Sequence, residues 1–175
     1  MLRTERIGRG HADLERILAL YERAFPENER RPLDALIDDE TGVGELLALY
    51  DGALFCGFAC LLNWADISHI IYIAVDEPLR GRGYGAQALE MLYALRPGCR
   101  LIADLEADDP AAPNGPQRAR RLGLYMRQGF SESSVRYTWR GERYVILSRG
   151  GDITPDEFSA FWQNIDRINP DMAQY

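Results

Sequence analysis

The sequence lacks lysine altogether, because all 20 basic residues among its 175 are arginine. No lysine amine can therefore serve as a nucleophile in this protein. Histidine occurs only as His11 and His69. Neither histidine has a metal-ligand spacing to a cysteine, so we expect no metal cofactor. No apolar run reaches the roughly 18 residues of a membrane-spanning helix, and we expect no membrane partner.

Cysteine is also scarce, and its three copies lie in or beside apolar runs, at Cys56, Cys60 and Cys99. An odd number of cysteines in apolar surroundings is typical of reduced core residues. The opening residues, Met-Leu-Arg-Thr-Glu-Arg, do not have the pattern of a signal peptide. We therefore expect a cytoplasmic protein.

The charge balance is acidic, with 27 acidic residues against 20 arginines and a net charge of −7. This excess argues against nucleic acid as a partner and favours cationic ligands. Hydrophobic residues make up 46% of the chain and charged residues 27%. Such a composition predicts one globular domain with a sizeable core.

The most informative stretch runs from residue 70 to residue 92. Residues 70–75 are apolar on both faces, which is typical of a central strand. Arg80-Gly-Arg-Gly-Tyr-Gly85 follows and opens a helix from about Tyr84. Glycines let the backbone approach a ligand closely, and the free N–H groups of a helix N-terminus attract anions. The pattern predicts an anion cradle that suits phosphate.

A dinucleotide-binding turn is the competing interpretation of these glycines. Gly81-Arg-Gly-Tyr-Gly-Ala86 fits G-x-G-x-x-A, and Asp104 and Glu106 end the next strand near the expected spacing. Residues 76–80, however, separate the strand from the turn, where a Rossmann turn follows almost directly. Too few strand–helix units follow for a doubly wound sheet. We therefore treat this interpretation as the less favoured one.

The rest of the chain predicts alternating helices and strands. A helix over residues 12–25 precedes a charged turn, and a short helix runs from Leu33 to about Thr41. Asp51-Gly52 predicts a hairpin before the central strand. Residues 100–106 form a strand that should run parallel to the central one through a right-handed crossover.

Beyond this strand, Asn114 is expected to cap a helix that ends at Gln128 and Gly129. A closing hairpin turns at Arg140-Gly141. Thr154-Pro-Asp-Glu then predicts a capping box. The helix behind it carries an aromatic-rich stripe, which indicates packing on the core, a lid or a dimer contact. We therefore leave a homodimer open.

Two motifs in this order resemble the GNAT superfamily of acyl-CoA-dependent N-acyltransferases. The first is Arg80-x-x-Gly83-x-Gly85 behind the strand end Ala74-Val75-Asp76, and the second is Leu124-Tyr125-Met-Arg-Gln-Gly-Phe130. The resemblance implies an α/β (α+β) fold with a mixed, splayed sheet flanked by helices and an extra C-terminal helix. It divides the chain into a GNAT domain over residues 1–149 and a helical extension over 150–175 packed on the same domain.

The resemblance also implies a cofactor site for acetyl-CoA. The turn N–H groups would hold the CoA pyrophosphate with help from the arginines. The pantetheine arm would lie along the central strand, where the Val75 N–H would polarise the thioester carbonyl. The residues implied for the cofactor are Ile73, Ala74, Val75, Arg80, Gly81, Arg82, Gly83, Tyr84, Gly85 and Ala86.

Tyr125 matches the family's general-acid position, from which it would protonate the departing thiolate. The general base stays open between Glu106 and His69, which takes the position of a catalytic glutamate in the histone-acetylating branch. Glu27 and Glu29 resemble an acidic turn that lines the acceptor cleft in some members.

One departure from the family pattern is Arg118, where many relatives carry asparagine. It belongs to a cluster with Arg120 and Arg121 that is either a solvated helix face or a contact for the CoA 3′-phosphate.

The implied activity is transfer of an acetyl group from acetyl-CoA directly to a primary amine in a ternary complex. A small-molecule acceptor is favoured, and no cysteine is placed for an acyl-enzyme. The alternative from another class is a CoA-binding sensor or interaction module without turnover.

Overall fold

The computed structural model describes residues 2–37 and 40–172. These residues form a sheet of seven strands in the order β1-β2-β3-β4-β5-β7-β6. The strands are β1 (Leu2–Arg6), β2 (Gly44–Asp51), β3 (Leu54–Trp64), β4 (Ile67–Val75), β5 (Arg100–Glu106), β6 (Ser131–Trp139) and β7 (Glu142–Arg149). Neighbouring strands are antiparallel apart from β4 and β5, which are parallel. The predicted mixed sheet is confirmed.

Four α-helices cover the two faces of the sheet. They are α1 (Leu14–Ala24), α2 (Tyr84–Ala94), α3 (Gly115–Arg127) and α4 (Pro155–Ile168). The buried side chains of α1 and α4 share one core cluster with one face of the sheet. Those of α2 and α3 share a second cluster with the opposite face. We call these the α1/α4 face and the α2/α3 face.

The parallel pair β4 and β5 parts in mid-course. Their ladder joins Ile67 through Ile70 to Arg100 through Ala103 and then stops. Beyond it β4 stays paired with β3, while β5 stays paired with β7 as far as Glu106. The two strands therefore splay, and the splay is an opening through the sheet from one face to the other.

Strand β3 supports β4 closely at this opening. A β-bulge shifts the register, so that Cys60 faces Tyr72 while Leu61 faces Ile70. Further along, a Cβ on Gly57 would lie 2.1 Å from the carbonyl oxygen of Ala74. Only glycine therefore fits at that position without moving β4.

Two local predictions are wrong. In the described part of the span from Leu33 to Thr41, the helix is a single 3₁₀ turn, Leu33–Ala35. Asn114 is the N-cap residue of α3, but its side chain makes no capping hydrogen bond. Its amide instead donates to Glu106 and its carbonyl oxygen accepts from Arg118, so the cap is lost to contacts with neighbouring elements.

The other helix ends follow the sequence pattern. Gly129 has φ +78°, and the Phe130 N–H donates to the Tyr125 carbonyl, which closes α3 as predicted. Thr154 and Glu157 form the predicted capping box of α4.

The aromatic stripe of α4 lies against the sheet. Phe158, Phe161, Trp162 and Ile165 are buried in the core of the α1/α4 face, and Ile168 packs against it. Core packing accounts for the stripe, whereas the domain boundary at residue 149 stays a prediction. Among the residues that the structure describes, no helix is both long and apolar enough to cross a membrane.

Candidate active site

The predicted glycine turn forms a groove on the α2/α3 face. This turn groove has a volume of about 840 Å³. Its lining from the turn and the strand before it is Val75, Leu79, Arg80, Gly81, Gly83, Tyr84, Gly85 and Ala86. The opposite wall comes from α3, through Gln117, Arg120, Arg121 and Leu124.

Backbone conformation explains why glycines recur in the turn. Gly81 and Gly83 have φ angles of +79° and +83°, a region that side chains with a Cβ disfavour. Gly83 is also the N-cap of α2, so the first N–H groups of that helix point towards the groove without intrahelical acceptors. These donors, together with Arg80 and Arg120, give the groove the character of an anion site.

The lining of this groove differs in part from the predicted cofactor residues. Arg82 is exposed and does not line the groove, whereas Gln117 and Leu124 line it without having been predicted. Helical spacing could have found them, because residues 117, 120, 121 and 124 share one face of α3.

The splay cavity, of about 420 Å³, connects with the turn groove and shares Val75, Arg80, Gln117 and Arg121 with it. Residues 70–75 of β4 form its floor. The N–H of Asp76 donates to β3. Since successive N–H groups of a strand alternate in direction, the Val75 N–H is directed away from β3, towards the splay.

Tyr125 reaches the splay cavity from α3. Its ring lies edge-on to Phe130 at a centroid distance of 5.0 Å. Among the residues described, no hydrogen-bond partner contacts its hydroxyl group. Burial raises the pKa of Tyr125 above its ordinary value, although the charge of Arg121 acts in the opposite direction. The phenol therefore keeps its proton at neutral pH and can donate it.

A third cavity, the acidic pocket, lies on the α1/α4 face and has a volume of about 80 Å³. It shares Phe25, Ile71, Tyr72, Asp104 and Arg121 with the splay cavity. Its other lining residues are Glu29, Arg31, Glu106, Tyr137, Trp139 and Tyr144. The three cavities thus adjoin one another through shared lining residues, and we call this series the passage. It runs from the glycine turn through the splay to a pocket lined by carboxylates, aromatic rings and Arg31.

Glu106 lies in the acidic pocket, but its carboxylate is already engaged. Arg121 donates to one oxygen at 3.0 Å, and Asn114 donates to the other at 3.1 Å. Arg118 forms an ion pair with the same carboxylate at 3.4 Å and a second one with Glu142. Arg118 is thus a buried connection between β5, α3 and β7 and lines neither the turn groove nor the splay cavity.

The two predicted substrate-binding residues, Glu27 and Glu29, differ in their position relative to the acidic pocket. Glu29 lines the acidic pocket, and Glu27 is exposed outside it. No arginine or hydrogen-bond donor of the described chain contacts the carboxylate of Glu29. Burial, and then the charge of Glu106, raises the pKa of Glu29. A bound cation would relieve that penalty.

His69 is completely buried and does not open onto any of the three cavities. Its Nε2 lies 2.6 Å from Oδ1 of Asp104, a residue that lines both the splay cavity and the acidic pocket. Asp104 was predicted only as part of the dinucleotide-binding interpretation. A carboxylate within the otherwise apolar strand Leu101-Ile-Ala-Asp-Leu was the available signal.

A splayed mixed sheet, with a glycine-turn groove on one side and a tyrosine at the crossing, is the arrangement that the resemblance to GNAT acyltransferases implies. The chain belongs to the GNAT acetyltransferase family, since the Acetyltransferase (GNAT) family profile matches residues 14–130. This assignment, together with a sheet that has one parallel strand pair among the described residues, excludes the dinucleotide-binding interpretation.

Solved structures share the fold at low sequence identity. A GNAT-family protein from Bacteroides thetaiotaomicron is 20% identical with a TM-score of 0.75, over 95% of this chain and 97% of its own. A GNAT family acetyltransferase from Elizabethkingia anophelis with acetyl-CoA bound is 19% identical with a TM-score of 0.57, over 85% of this chain and 97% of its own. A spermidine N-acetyltransferase chimera from Vibrio cholerae and hSSAT is 16% identical with a TM-score of 0.59, over 85% and 94%. Among curated proteins, a sequence comparison finds no match.

Within residues 2–37 and 40–172, no group of three or more His, Cys, Asp or Glu side chains is arranged to hold a metal ion.

Proposed function

We propose that the protein transfers an acetyl group from acetyl-CoA to a primary amine of a small cationic molecule by direct attack in a ternary complex. The observation that carries this proposal is that the splay cavity shares lining residues with both the turn groove and the acidic pocket. A passage with an anion site at one end and a cation site at the other suits a phosphorylated donor and an amine acceptor that meet in the middle.

Acetyl-CoA is the donor that suits the turn groove. Backbone N–H groups at the start of α2 bind the pyrophosphate, with Arg80 beside them. Arg120 and Arg121 on the opposite wall add positive charge for the remaining phosphate. The pantetheine arm follows β4 over Ile73 to Val75 in the manner of an added strand.

The reaction takes place in the splay cavity. The Val75 N–H stabilises the negative charge that develops on the thioester oxygen as the amine attacks. The hydroxyl of Tyr125 then donates its proton to the departing thiolate. Because this hydroxyl has no competing hydrogen bond within the described residues, its proton is free for that transfer.

The acidic pocket selects the acceptor. Glu29 offers a carboxylate that no arginine of the described residues contacts, and Tyr72, Tyr137 and Tyr144 line the same pocket. This combination favours an amine that carries a second positive charge. The occurrence of a spermidine N-acetyltransferase among the proteins of this fold supports a polycationic small-molecule acceptor.

Direct transfer is favoured because no cysteine faces the passage. Cys56, Cys60 and Cys99 line none of the three cavities. Burial also raises the pKa of the Cys60 thiol, which makes it a poor nucleophile.

The test is release of the CoA thiol from acetyl-CoA in the presence of a panel of primary amines: spermidine, ethylenediamine, benzylamine and a lysine-containing peptide. We expect the small amines that can carry more than one positive charge, spermidine and ethylenediamine, to raise the rate most. If CoA binds and shifts the melting temperature but no amine raises thiol release above background, the protein is a CoA-binding module and the proposal is wrong.

A further inference from the structure

The buried imidazole of His69 and the carboxylate of Asp104 form a pair at the crossing point of the passage. We infer that Asp104 is the base that takes the proton from the acceptor ammonium, and that His69 is a positioning residue that holds the carboxylate of Asp104. The inference rests on the proposed acetyl transfer and names the residue that prepares the acceptor for it.

The position of Asp104 distinguishes it from the other carboxylates. Asp104 is the first residue of β5 beyond the ladder with β4. It therefore lies at the mouth of the splay and lines both the splay cavity and the acidic pocket. Of these two cavities, Glu29 and Glu106 line only the acidic pocket. An amine that reaches from that pocket towards the acetyl carbon passes Asp104.

The free oxygen of Asp104 supports the same role. Oδ1 accepts the hydrogen bond of His69 at 2.6 Å. No donor in the described residues contacts Oδ2, and the side chain is 19% exposed. Glu106, by contrast, is occupied by Asn114, Arg118 and Arg121. Asp104 is therefore the carboxylate that can accept a proton at the crossing without giving up an ion pair with arginine.

Within the described residues, the imidazole of His69 has one polar contact, and that contact is Asp104. Its ring is enclosed by Phe158, Phe161 and Trp162 of α4, with centroid distances of 5.9, 5.6 and 5.5 Å. Its Nδ1 is buried without a hydrogen-bond partner among the described residues.

A buried unsatisfied polar atom costs about 1–3 kcal/mol. An apolar side chain would fit the aromatic enclosure without that cost. The Nε2–H of His69 explains why a histidine stands at this position, because it holds one oxygen of Asp104 and leaves the other without a donor among the described residues. The C-terminal helix thereby contributes to the site, because its rings hold the imidazole in place.

Asp104 and Tyr125 together account for both protons that the acceptor nitrogen loses. The acceptor ammonium gives one proton to Asp104, and the neutral amine forms the C–N bond to the acetyl carbon. The C–S bond breaks as Tyr125 protonates the thiolate, and the second proton of the amine nitrogen restores the phenol. Asp104 releases its proton to solvent. In a poorly hydrated cavity the first transfer is favoured, because it neutralises an ammonium and a carboxylate together.

The test compares two acceptors by CoA release: the fastest amine of the panel that is an ammonium ion at neutral pH, and hydroxylamine, which is uncharged there. Asp104→Asn keeps the volume and an acceptor for His69 but is not a base. We expect kcat with the ammonium acceptor to fall about 10²–10⁴-fold, the usual contribution of a general base. The hydroxylamine rate, corrected for the uncatalysed reaction, should fall much less, by under about tenfold.

His69 is tested by a pair of variants. The amide of His69→Gln can still donate to Asp104, whereas His69→Leu cannot. We expect the glutamine variant to keep kcat within about tenfold of wild type, and the leucine variant to lose more, with little change in the acceptor KM. Equal losses in both variants, or a wild-type kcat in the leucine variant, would overturn the positioning role.

Asp166→Asn, an exposed change of the same chemistry on α4, is the matched control and should leave both rates unchanged. If wild type turns over and Asp104→Asn keeps its ammonium rate, the base assignment is wrong while the proposed function stands. If no acceptor, hydroxylamine included, raises CoA release in wild type, the proposed function itself fails.

Discussion

Replacing Tyr125 by phenylalanine separates catalysis from folding in this protein. The change removes one oxygen atom from a side chain that is 4% exposed. The ring contact with Phe130 at 5.0 Å is kept. Because no hydrogen bond of the hydroxyl within the described residues is lost, the free energy of unfolding should change by about 0.5 kcal/mol or less.

The effect on turnover should be far larger. Loss of a general acid lowers kcat by about 10²–10⁴-fold, which is about 2.7–5.4 kcal/mol at 1.36 kcal/mol per decade. The KM for acetyl-CoA should stay near its wild-type value, since the turn groove is untouched.

The pH dependence provides a further check. The folded protein raises the pKa of Tyr125 above its ordinary value, so the phenol loses its proton only at pH values above about 10. In wild type, kcat should therefore show no fall from Tyr125 below that pH. Steady-state CoA release and thermal unfolding of both proteins measure these quantities. A phenylalanine variant with a wild-type kcat would refute the general-acid assignment.

Three further changes test other parts of the account. Glu29→Gln should raise the KM for a dicationic amine by about three- to tenfold with little change in kcat, because one charge contact is lost. Glu27→Gln, outside the pocket, should leave the KM unchanged, and equal effects of the two variants in steady-state kinetics would contradict the acceptor site. Gly57→Ala should lower the free energy of unfolding by at least about 2 kcal/mol in urea titrations, since its Cβ would lie 2.1 Å from a carbonyl oxygen of β4; an unchanged midpoint would contradict the packing argument. Arg120→Ala should weaken CoA binding by about three- to tenfold in calorimetry, and by less at high salt. Arg127→Ala on the same helix should leave CoA binding unchanged, and an unchanged affinity in the Arg120 variant would exclude Arg120 from the CoA site.

Local signals in the sequence were sufficient for most elements. Asp51-Gly52 predicts the hairpin of β2 and β3 because both residues suit a tight turn. Gly81 and Gly83 have positive φ angles, which favour glycine. The glycine spacing in the sequence therefore indicates the turn directly. Residues 100–106 match the bounds of β5.

Contacts between distant elements could not be predicted in this way. Asp104 and His69 lie 35 residues apart, and only the parallel ladder of β4 and β5 brings them together. The cap expected at Asn114 failed for a related reason, because Glu106 and Arg118 compete for its side chain. The 3₁₀ turn at Leu33–Ala35 shows that apolar spacing alone does not secure a short helix.

The most direct measurement of the central claim uses acetyl-CoA labelled in the acetyl group, followed by mass spectrometry of both the amine and the protein. We predict that the label appears on the nitrogen of the small amine in proportion to CoA released, with no acetylated protein at any time. Label retained on the protein, or CoA released without acetylated amine, would contradict direct transfer in a ternary complex.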